Sequence, residues 1–138
     1  MSKGETEGGC NCGALRYRLA GKPLAVAVCH CANCRRQSGS AFSVNVVVRA
    51  DAMSLTGELA TYEDLDTESG SPVLRQFCAT CGSPIRSLSA ASPKIAIVKA
   101  GTADDPGQFV PALHVWTESA LPWVDIPPGL PQFPRNAS

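Results

Sequence analysis

The chain of 138 residues has no excess of charge of either sign, few aromatic side chains and no long hydrophobic run. Lysine plus arginine and aspartate plus glutamate number 12 each. Without a net charge there is no long-range attraction to nucleic acid or to an anionic membrane, and neither is expected as a partner. No stretch reaches the roughly 18 apolar residues of a transmembrane helix. The start "MSKGETEGG" lacks the apolar core of a secretory signal, so we expect a cytoplasmic protein.

The number of cysteines is odd, which argues against a framework in which every cysteine is paired in a disulfide. Seven cysteines lie in three clusters, "CNC" at 10–12, "CHCANC" at 29–34 and "CATC" at 78–81. In a reducing compartment, thiols at C-x-C and C-x-x-C spacing are more often metal ligands than disulfides, because zinc binds thiolates at such spacings. The clusters therefore predict bound zinc.

Short apolar stretches with alternating polarity predict a mostly β protein. "SAFSVNVVVRA" is rich in β-branched residues, and further strands are predicted in "ALRYRLA", "KPLAVAVCH", "ELATYED", "SPVLRQFC", "PIRSLSA", "PKIAIVKAG" and "ALHVWTE". The stretch "ADAMSLT" predicts a brief helical turn before Gly57. No long segment has the periodicity of an amphipathic helix.

The chain shows no repeat and no linker, so we expect a single domain over residues 1–138. Its core is expected at about 8–126, followed by a proline-rich tail at 127–138. The stretch "LPWVDIPPGLPQFPRNAS" carries five prolines, and none of them can donate an amide hydrogen bond. This composition predicts an irregular tail that lies on the protein surface, with Trp123 and Phe133 as its anchors.

The cysteine clusters divide most simply into a closed set of four and an open set of three. Three ligands within six residues can close around one ion at little cost in loop entropy, and the two remaining pairs must then meet. Both pairs precede glycine, in "CNCG" and "CATCG", which suits a tight turn. Spacing leaves a second division open, in which the last two cysteines of the triplet form a zinc ribbon with "CATC". A closed zinc site is typical of a structural role, and an open one of catalysis.

Two histidines are candidates for the missing fourth ligand. In an extended chain, His30 points away from its two cysteine neighbours, so a hydrogen-bonded or partly exposed histidine is the favoured interpretation. His114 in "ALHVW" lies opposite its two apolar neighbours. It could line a pocket, face water or serve as a remote fourth ligand.

Two arginines directly follow the triplet. Arg35 and Arg36 are either solvated loop residues or cations that offset the net charge of about −1 on Zn²⁺ with three thiolates. We favour a role for at least one of them, because arginine also binds carboxylates through two hydrogen bonds. Trp116 and Trp123 are expected to pack in the core or on the surface rather than to stack on a ligand.

The stretches "GGCNCGALRY", "CHCANCRRQSGS", "FCATCGSP" and "HVWTESALPWVDIPPGLPQF" follow one another over nearly the whole chain. In these motifs the sequence resembles the glutathione-dependent formaldehyde-activating enzyme family, which includes the centromere-protein-V-like domains. The resemblance implies a small Mss4-like, or β-tent, zinc-binding fold of short antiparallel strands. It also implies two zinc ions, a structural one on Cys10, Cys12, Cys78 and Cys81 and a labile, catalytic one on Cys29, Cys31 and Cys34.

The same resemblance implies the addition of glutathione to formaldehyde, with the reverse step a carbon–sulfur lyase. The chain starts almost at "GGC" without a basic extension, so a chromatin role is not expected. The open corner of the second zinc would take the sulfur of the substrate, and Arg35, Ser38 or His30 would stabilise the developing alkoxide. Two other functions stay open: a module that binds a thiol adduct without turnover, and a purely structural zinc domain.

Overall fold

The structure, a computed structural model, describes residues 5–137. Within them the backbone forms ten strands, β1 Glu5–Gly9, β2 Arg16–Ala20, β3 Ala25–Cys29, β4 Ser43–Arg49, β5 Met53–Thr56, β6 Leu59–Asp64, β7 Val73–Cys78, β8 Pro84–Ser89, β9 Ile95–Lys99 and β10 Leu113–Val115. The described chain also contains one α-helix and four 3₁₀ turns: α1 Ala32–Ser38, then Ala50–Ala52, Ala100–Thr102, Pro106–Gln108 and Thr117–Ser119.

These strands form two sheets. A three-stranded sheet has the order β1–β2–β5, and a seven-stranded sheet has the order β10–β3–β4–β9–β8–β7–β6. Neighbouring strands are antiparallel, apart from the parallel pair of β10 and β3. The predicted mostly β fold of short antiparallel strands is confirmed.

The central strands of the larger sheet separate the hydrophobic core from a cavity. Successive side chains of a strand point to opposite faces. In β4 and β9 the even positions, among them Val46 and Val98, join the main core together with Tyr17 and Leu19 of the smaller sheet. Odd positions of the same strands line the cavity, namely Asn45, Val47, Ile95 and Ile97. One sheet therefore provides both the stability of the fold and one wall of the site.

Helix α1 is a local structure fixed by its two ends. At its N-terminus, the Cys31 sulfur accepts a hydrogen bond from the backbone N–H of Cys34, at 3.2 Å, as an N-cap does. At its C-terminus, Gly39 adopts a left-handed conformation with φ 66° and donates its N–H to the Arg35 carbonyl. No helix in residues 5–137 is long and apolar enough to cross a membrane.

Sequence patterns missed one strand and the α-helix, besides three of the 3₁₀ turns, and described the stretch "ADAMSLT" incompletely. The strand β1, "ETEGG", has no apolar alternation, and α1 is too short for a helical period to show. The glycine in β1 has a packing reason: Gly8 lies so close to Tyr17 that a Cβ atom at this position would be 2.4 Å from the ring. The predicted turn in "ADAMSLT" covers only residues 50–52, and the rest of that stretch is strand β5.

The C-terminal tail is bonded to the edge of the larger sheet. The N–H of His114 donates to the Pro131 carbonyl at 2.9 Å, and the Phe133 N–H donates to the His114 carbonyl at 2.9 Å. Phe133 is half-buried, whereas Trp123 is 72% exposed. The prediction that Trp123 anchors the tail is therefore wrong. The division of the chain into a core at 8–126 and a tail at 127–138 stays a prediction.

Candidate metal centres and the cavity beside one of them

Four cysteines from distant parts of the chain meet at one end of the two sheets. Two of them follow β1, one ends β7 and one lies in the turn before β8. Their sulfur atoms all lie within 4.8 Å of one another, in the set Cys10, Cys12, Cys78 and Cys81. The sulfurs of Cys10 and Cys12 are 3.5 Å apart, and those of Cys12 and Cys78 are 3.9 Å apart.

Two similar turns present these sulfurs. The N–H of Gly13 donates to the Cys10 carbonyl at 3.2 Å, and the N–H of Gly82 donates to the Cys78 carbonyl at 2.9 Å. Both glycines have left-handed backbone angles, with φ 81° and 79°, a conformation that favours glycine. The N–H of Leu15 also points at the Cys10 sulfur, at 3.3 Å. These turns aim both pairs of thiols at one point.

The geometry of the four-sulfur set fits a zinc ion. A tetrahedral ion with four Zn–S bonds of about 2.3 Å separates neighbouring sulfurs by about 3.8 Å. The two measured separations, 3.5 and 3.9 Å, lie on either side of that value. An ion in this position would join β1 of the smaller sheet to β7 and β8 of the larger one.

The other three cysteines form a second, buried set on the cavity side. Cys29 ends β3, Cys31 caps α1 and Cys34 lies in its first turn. Their sulfurs lie within 4.8 Å of one another, and all three residues are buried. In residues 5–137, no histidine, aspartate, glutamate or further cysteine belongs to this group. Both sets could hold a metal ion, and the second leaves one tetrahedral position to another ligand.

A buried arginine lies against the triplet. Arg75 of β7 directs its Nη1 at the Cys34 sulfur, at 3.8 Å, and at the Ser87 hydroxyl, at 3.4 Å. Its Nε donates to Asp64 at 3.1 Å, and the two side chains of this ion pair are only 6% and 12% exposed. Arg75 therefore supplies a positive charge beside the sulfurs and is held in position by Asp64.

A buried lysine is the second cation near the triplet. Lys99 ends β9 and donates to the Ser43 hydroxyl at 2.8 Å, and Ser43 donates in turn to the Asn45 side chain at 2.6 Å. Burial lowers the pKa of Lys99, while the negative charge of Cys34 acts in the opposite direction. The lysine is thus held in a fixed polar network behind the sulfurs.

The three thiols shift one another's pKa, and the two cations act on the pKa of Cys34. Hydrogen bonds from Cys29 and Cys31 lower the pKa of the Cys34 thiol far below its usual value, and the charges of Lys99 and Arg75 lower it further. The same contacts with its two neighbours raise the pKa of Cys29. The site thus favours at least one thiolate, which is the form that binds a metal.

The two histidines contact each other instead of the sulfurs. Nε2 of His30 and Nδ1 of His114 are 3.0 Å apart, and the rings are stacked at a centroid distance of 5.3 Å. Both are buried, and burial is the main cause that lowers the pKa of each imidazole. Nδ1 of His30 is buried without a hydrogen-bond partner. The prediction that His30 points away from its cysteine neighbours agrees with this placement, and His114 is not part of the sulfur group.

The other polar residues singled out in the sequence lie away from the cavity. Arg35 and Ser38 are on α1 but do not line it, and the Ser38 hydroxyl is 2.8 Å from that of Ser40. Arg36 is exposed. A catalytic role for Arg35 stays a prediction that its placement does not support. The guanidinium that does contact the triplet, Arg75, was missed, although a lone arginine in the apolar strand "SPVLRQFC" is a detectable signal.

The triplet opens onto a cavity of about 600 Å³. Alternate residues of β3, β4, β7, β8, β9 and β10 line it, because these strands turn one face toward it. The loop at 67–71 and the end of the tail complete the lining. A thiol that reached the open position of the triplet would therefore lie inside this partly open cavity rather than on the surface.

Trp116 forms part of this cavity and packs against the triplet. Its backbone is left-handed, with φ 57°, which a bulky residue rarely adopts. The tail stabilises this conformation: the indole N–H donates to Asn136 at 2.9 Å, and the Arg135 guanidinium lies 5.4 Å from the ring centroid. Trp116 thus packs in a buried cluster, as the sequence predicted, and also lines the cavity.

The chain is similar to known proteins in both sequence and fold. The sequence model described as "Glutathione-dependent formaldehyde-activating enzyme" matches residues 5–119. A Halomonas elongata protein named "Putative glutathione-dependent formaldehyde-activating enzyme" is 29% identical over 125 residues, 87% of this chain and 80% of that protein. The crystal structure of a Rhodobacter sphaeroides protein has a TM-score of 0.56 and 20% identity, and the match covers 92% of this chain and 98% of the other.

The likeness to the solved structure concerns the fold alone, because the identity is low. The sequence match is more informative, since residues 5–119 contain all seven cysteines, the helix that carries Cys34 and the strands that line the cavity. The chain belongs to the glutathione-dependent formaldehyde-activating enzyme family.

Proposed function

We propose that this protein is a zinc-dependent carbon–sulfur lyase and synthase that adds a thiol such as glutathione to formaldehyde or a related small aldehyde. Cys10, Cys12, Cys78 and Cys81 would hold a structural zinc, and Cys29, Cys31 and Cys34 a catalytic one. The observation that carries the proposal is the position of the three-sulfur set, which has an open corner and faces a cavity of about 600 Å³.

The residues of the triplet fit a metal that exchanges a thiol. Three sulfur donors suit zinc, and the charges of Arg75 and Lys99 offset the negative charge of three thiolates. When bound, zinc would lower the pKa of a thiol at its open position, so that this thiol reacts as a thiolate.

The proposed reaction forms one bond and moves one proton. The thiol loses its S–H proton, the sulfur attacks the carbonyl carbon, a carbon–sulfur bond forms as the π bond of the carbonyl breaks, and the oxygen takes up a proton and becomes a hydroxyl. The developing oxygen charge needs a donor, and the donors near the triplet are the Arg75 Nη1 and the Ser87 hydroxyl. Apolar cavity residues such as Ala27 and Val115 would exclude water from the reacting atoms.

Glutathione and formaldehyde should combine faster with this protein than in buffer, and Cys34→Ala should remove the excess rate. Cys34 is a member of the triplet, and its loss leaves two sulfurs to hold the catalytic ion. The measurement is formaldehyde consumption by the zinc-loaded protein, with Cys34→Ala and a zinc-free sample as controls. Tyr62→Phe, an exposed position outside the triplet, should retain the rate. Equal rates for the protein and Cys34→Ala would contradict an enzymatic role.

Chelation should release the two zinc ions in separate phases, with the ion of the triplet first. Three protein sulfurs hold an ion less firmly than four, although the triplet is buried while Cys12 and Cys81 are exposed. The measurement is the zinc released over time to a slow chelator, with Cys31→Ser expected to show only the later phase. Release of both ions in one phase would contradict the division into a closed and an open site.

Two alternative functions, a thiol carrier and a structural module, predict different results in these tests. A carrier would bind thiols at the triplet without exceeding the uncatalysed rate. A structural module would hold two inert ions and ignore thiols altogether.

A further inference from the structure

We propose that Asn45 donates a hydrogen bond to a carbonyl or carboxylate oxygen of the thiol substrate, and that Lys99 holds the Asn45 amide in the required orientation through Ser43. The inference rests on the proposed function, because it takes the open position of the triplet as the binding site of the thiol sulfur. It goes further in assigning a specificity-determining residue to the group attached to that sulfur.

Three buried side chains form a series of hydrogen bonds that runs in one direction. Lys99, Ser43 and Asn45 are 6%, 2% and 7% exposed. An ammonium group can only donate, so the Lys99 Nζ donates to the Ser43 Oγ, at 2.8 Å. The single hydroxyl proton of Ser43 is then donated to the Asn45 Oδ1, at 2.6 Å. This distance is typical of O–H···O and short for N–H···O, so the amide oxygen of Asn45 faces Ser43.

The amide nitrogen of Asn45 is left to face the cavity. Asn45 lines the cavity, whereas Ser43 and Lys99 do not. Within residues 5–137 the Asn45 Nδ2 makes no hydrogen bond, and it is not among the atoms that are fully buried without a partner. A ligand that fills this part of the cavity must therefore offer an acceptor, because a buried donor that is left unpaired is costly.

The position of Asn45 fits the group attached to the sulfur better than it fits the aldehyde. Asn45 pairs with Ala27, and Ser43 pairs with Cys29 of the triplet. Asn45 is thus two residues, or about 7 Å, farther along the sheet than the pair that contains Cys29. The aldehyde oxygen is only two bonds from the attacking sulfur, where the Arg75 guanidinium contacts the triplet. An oxygen several bonds from the sulfur is the one that can reach Asn45.

The other polar side chains of the lining do not impose the same requirement. Both amide atoms of Asn33 are used within the protein, Nδ2 by Asp64 and Oδ1 by the N–H of Glu68. Asn136 is exposed, so water can satisfy its amide. A hydroxyl can rotate to donate or to accept. The hydroxyls of the lining belong to Thr67, Ser69, Ser71, Ser87, Ser89 and Ser92. Asn45 differs from all of these because its donor is both buried and fixed.

Two thiols of the same shape measure this hydrogen bond. Methyl 3-mercaptopropionate carries an ester carbonyl, and 3-methylpentane-1-thiol has a methyl and a methylene group in place of the two ester oxygens. The titrations record the fluorescence of Trp116 in the zinc-loaded Trp123→Phe protein, because the chain has two tryptophans and Trp123 is 72% exposed. The quantity compared among variants is the ratio of the two dissociation constants, from which the hydrophobicity of the ligands cancels.

Asn45→Leu should shift this ratio about fivefold against the ester, the value of one hydrogen bond between neutral groups. Asn45→Asp should shift it in the same direction, because a carboxylate places an acceptor opposite the ester oxygen. Gln108→Glu makes the same change of amide to carboxylate at an exposed position outside the lining and should leave the ratio unchanged. Zinc content checks that each variant is folded. Equal ratios in the parent protein, Asn45→Leu and Asn45→Asp would overturn the inference.

Ser43→Ala tests whether the amide is held in position. Without the hydroxyl, the Asn45 amide can turn over and present its oxygen, and a donor that is available half of the time weakens ester binding about twofold. Lys99→Met, which removes the cation that fixes the direction of the Ser43 proton, should have the same effect on the ratio. Ser43→Thr keeps the hydroxyl and should restore the ratio. A folded Ser43→Ala protein with the ratio of the parent would overturn the positioning role.

A role of Asn45 in the chemical step would give a different result. Glutathione carries amide and carboxylate oxygens, so Asn45→Leu should raise its KM and leave kcat nearly unchanged, as expected for a contact that is equal in the ground state and the transition state. If Asn45 contacted the aldehyde oxygen instead, Asn45→Leu would lower kcat and leave the ratio for the two thiols unchanged. That result would overturn the inference.

The same data separate this inference from the proposed function. If Cys34→Ala stops an excess rate with glutathione and formaldehyde while Asn45→Leu leaves the ratio unchanged, the function stands and the inference fails. If the ratio shifts as expected and no excess rate is seen, the inference stands for a site that binds thiols without turnover. If no thiol changes the fluorescence and no excess rate is seen, both fail.

Discussion

Cys78→Ser is expected to leave the chain aggregated or largely unfolded, with less than one zinc bound per molecule. Cys78 is 2% exposed and ends β7, and its sulfur lies 3.9 Å from that of Cys12. Structural zinc contributes roughly 10–16 kcal/mol in small zinc domains, which exceeds the total stability of most domains. Loss of one of four ligands should therefore release the proposed zinc ion, which would join the two sheets. The measurements are soluble yield, circular dichroism and zinc content.

Cys31→Ser is the matched control for this prediction. Cys31 belongs to the triplet and also caps α1, where its sulfur accepts from the Cys34 N–H. Serine is a favourable N-cap residue, so the substitution removes a metal ligand and keeps the helix. We expect a soluble, folded protein that retains one zinc. A folded Cys78→Ser with one zinc, together with an aggregated Cys31→Ser, would reverse the assignment of the two sites.

Arg75→Met is expected to lower the free energy of unfolding by about 3–5 kcal/mol, the usual cost of removing one partner of a buried ion pair. The substitution keeps an unbranched side chain but leaves Asp64 almost buried, with only an amide of Asn33 at 3.4 Å. The measurement is urea unfolding of the zinc-loaded protein, in which the midpoint should fall with little change of slope.

The double variant Arg75→Met with Asp64→Leu separates the ion pair from simple packing. Because both charges are removed, most of the lost stability should return. The double variant should still have weaker zinc binding at the triplet, since the positive charge 3.8 Å from the Cys34 sulfur is gone. A loss below about 1 kcal/mol in the single variant, or no recovery in the double one, would show that the pair does not stabilise the fold.

The sequence by itself determined the parts of this protein that depend on neighbouring residues. Apolar alternation predicted the strands that line the cavity, because a strand with one buried face has a period of two. The three cysteines at 29–34 lie close together in any fold, since only four residues separate the first from the last sulfur. The turns at Gly13 and Gly82 were likewise indicated by local composition. The fold class and the closeness of the three cysteines at 29–34 followed from such local signals, whereas spacing left open which cysteines join the pair at 78–81.

The tertiary structure decided which distant residues share the site. Arg75 lies 41 positions from Cys34, and Lys99 lies 56 positions from the Ser43 that holds it. Sheet order brings them together, and a local pattern does not encode which strands become neighbours. Arg35, next to the triplet in sequence, does not line the cavity, whereas the tail returns to bond with Trp116. Proximity in sequence fixed the sulfurs of the triplet, whereas the four-sulfur set and the charges and walls around the triplet depend on strand pairing between distant parts of the chain.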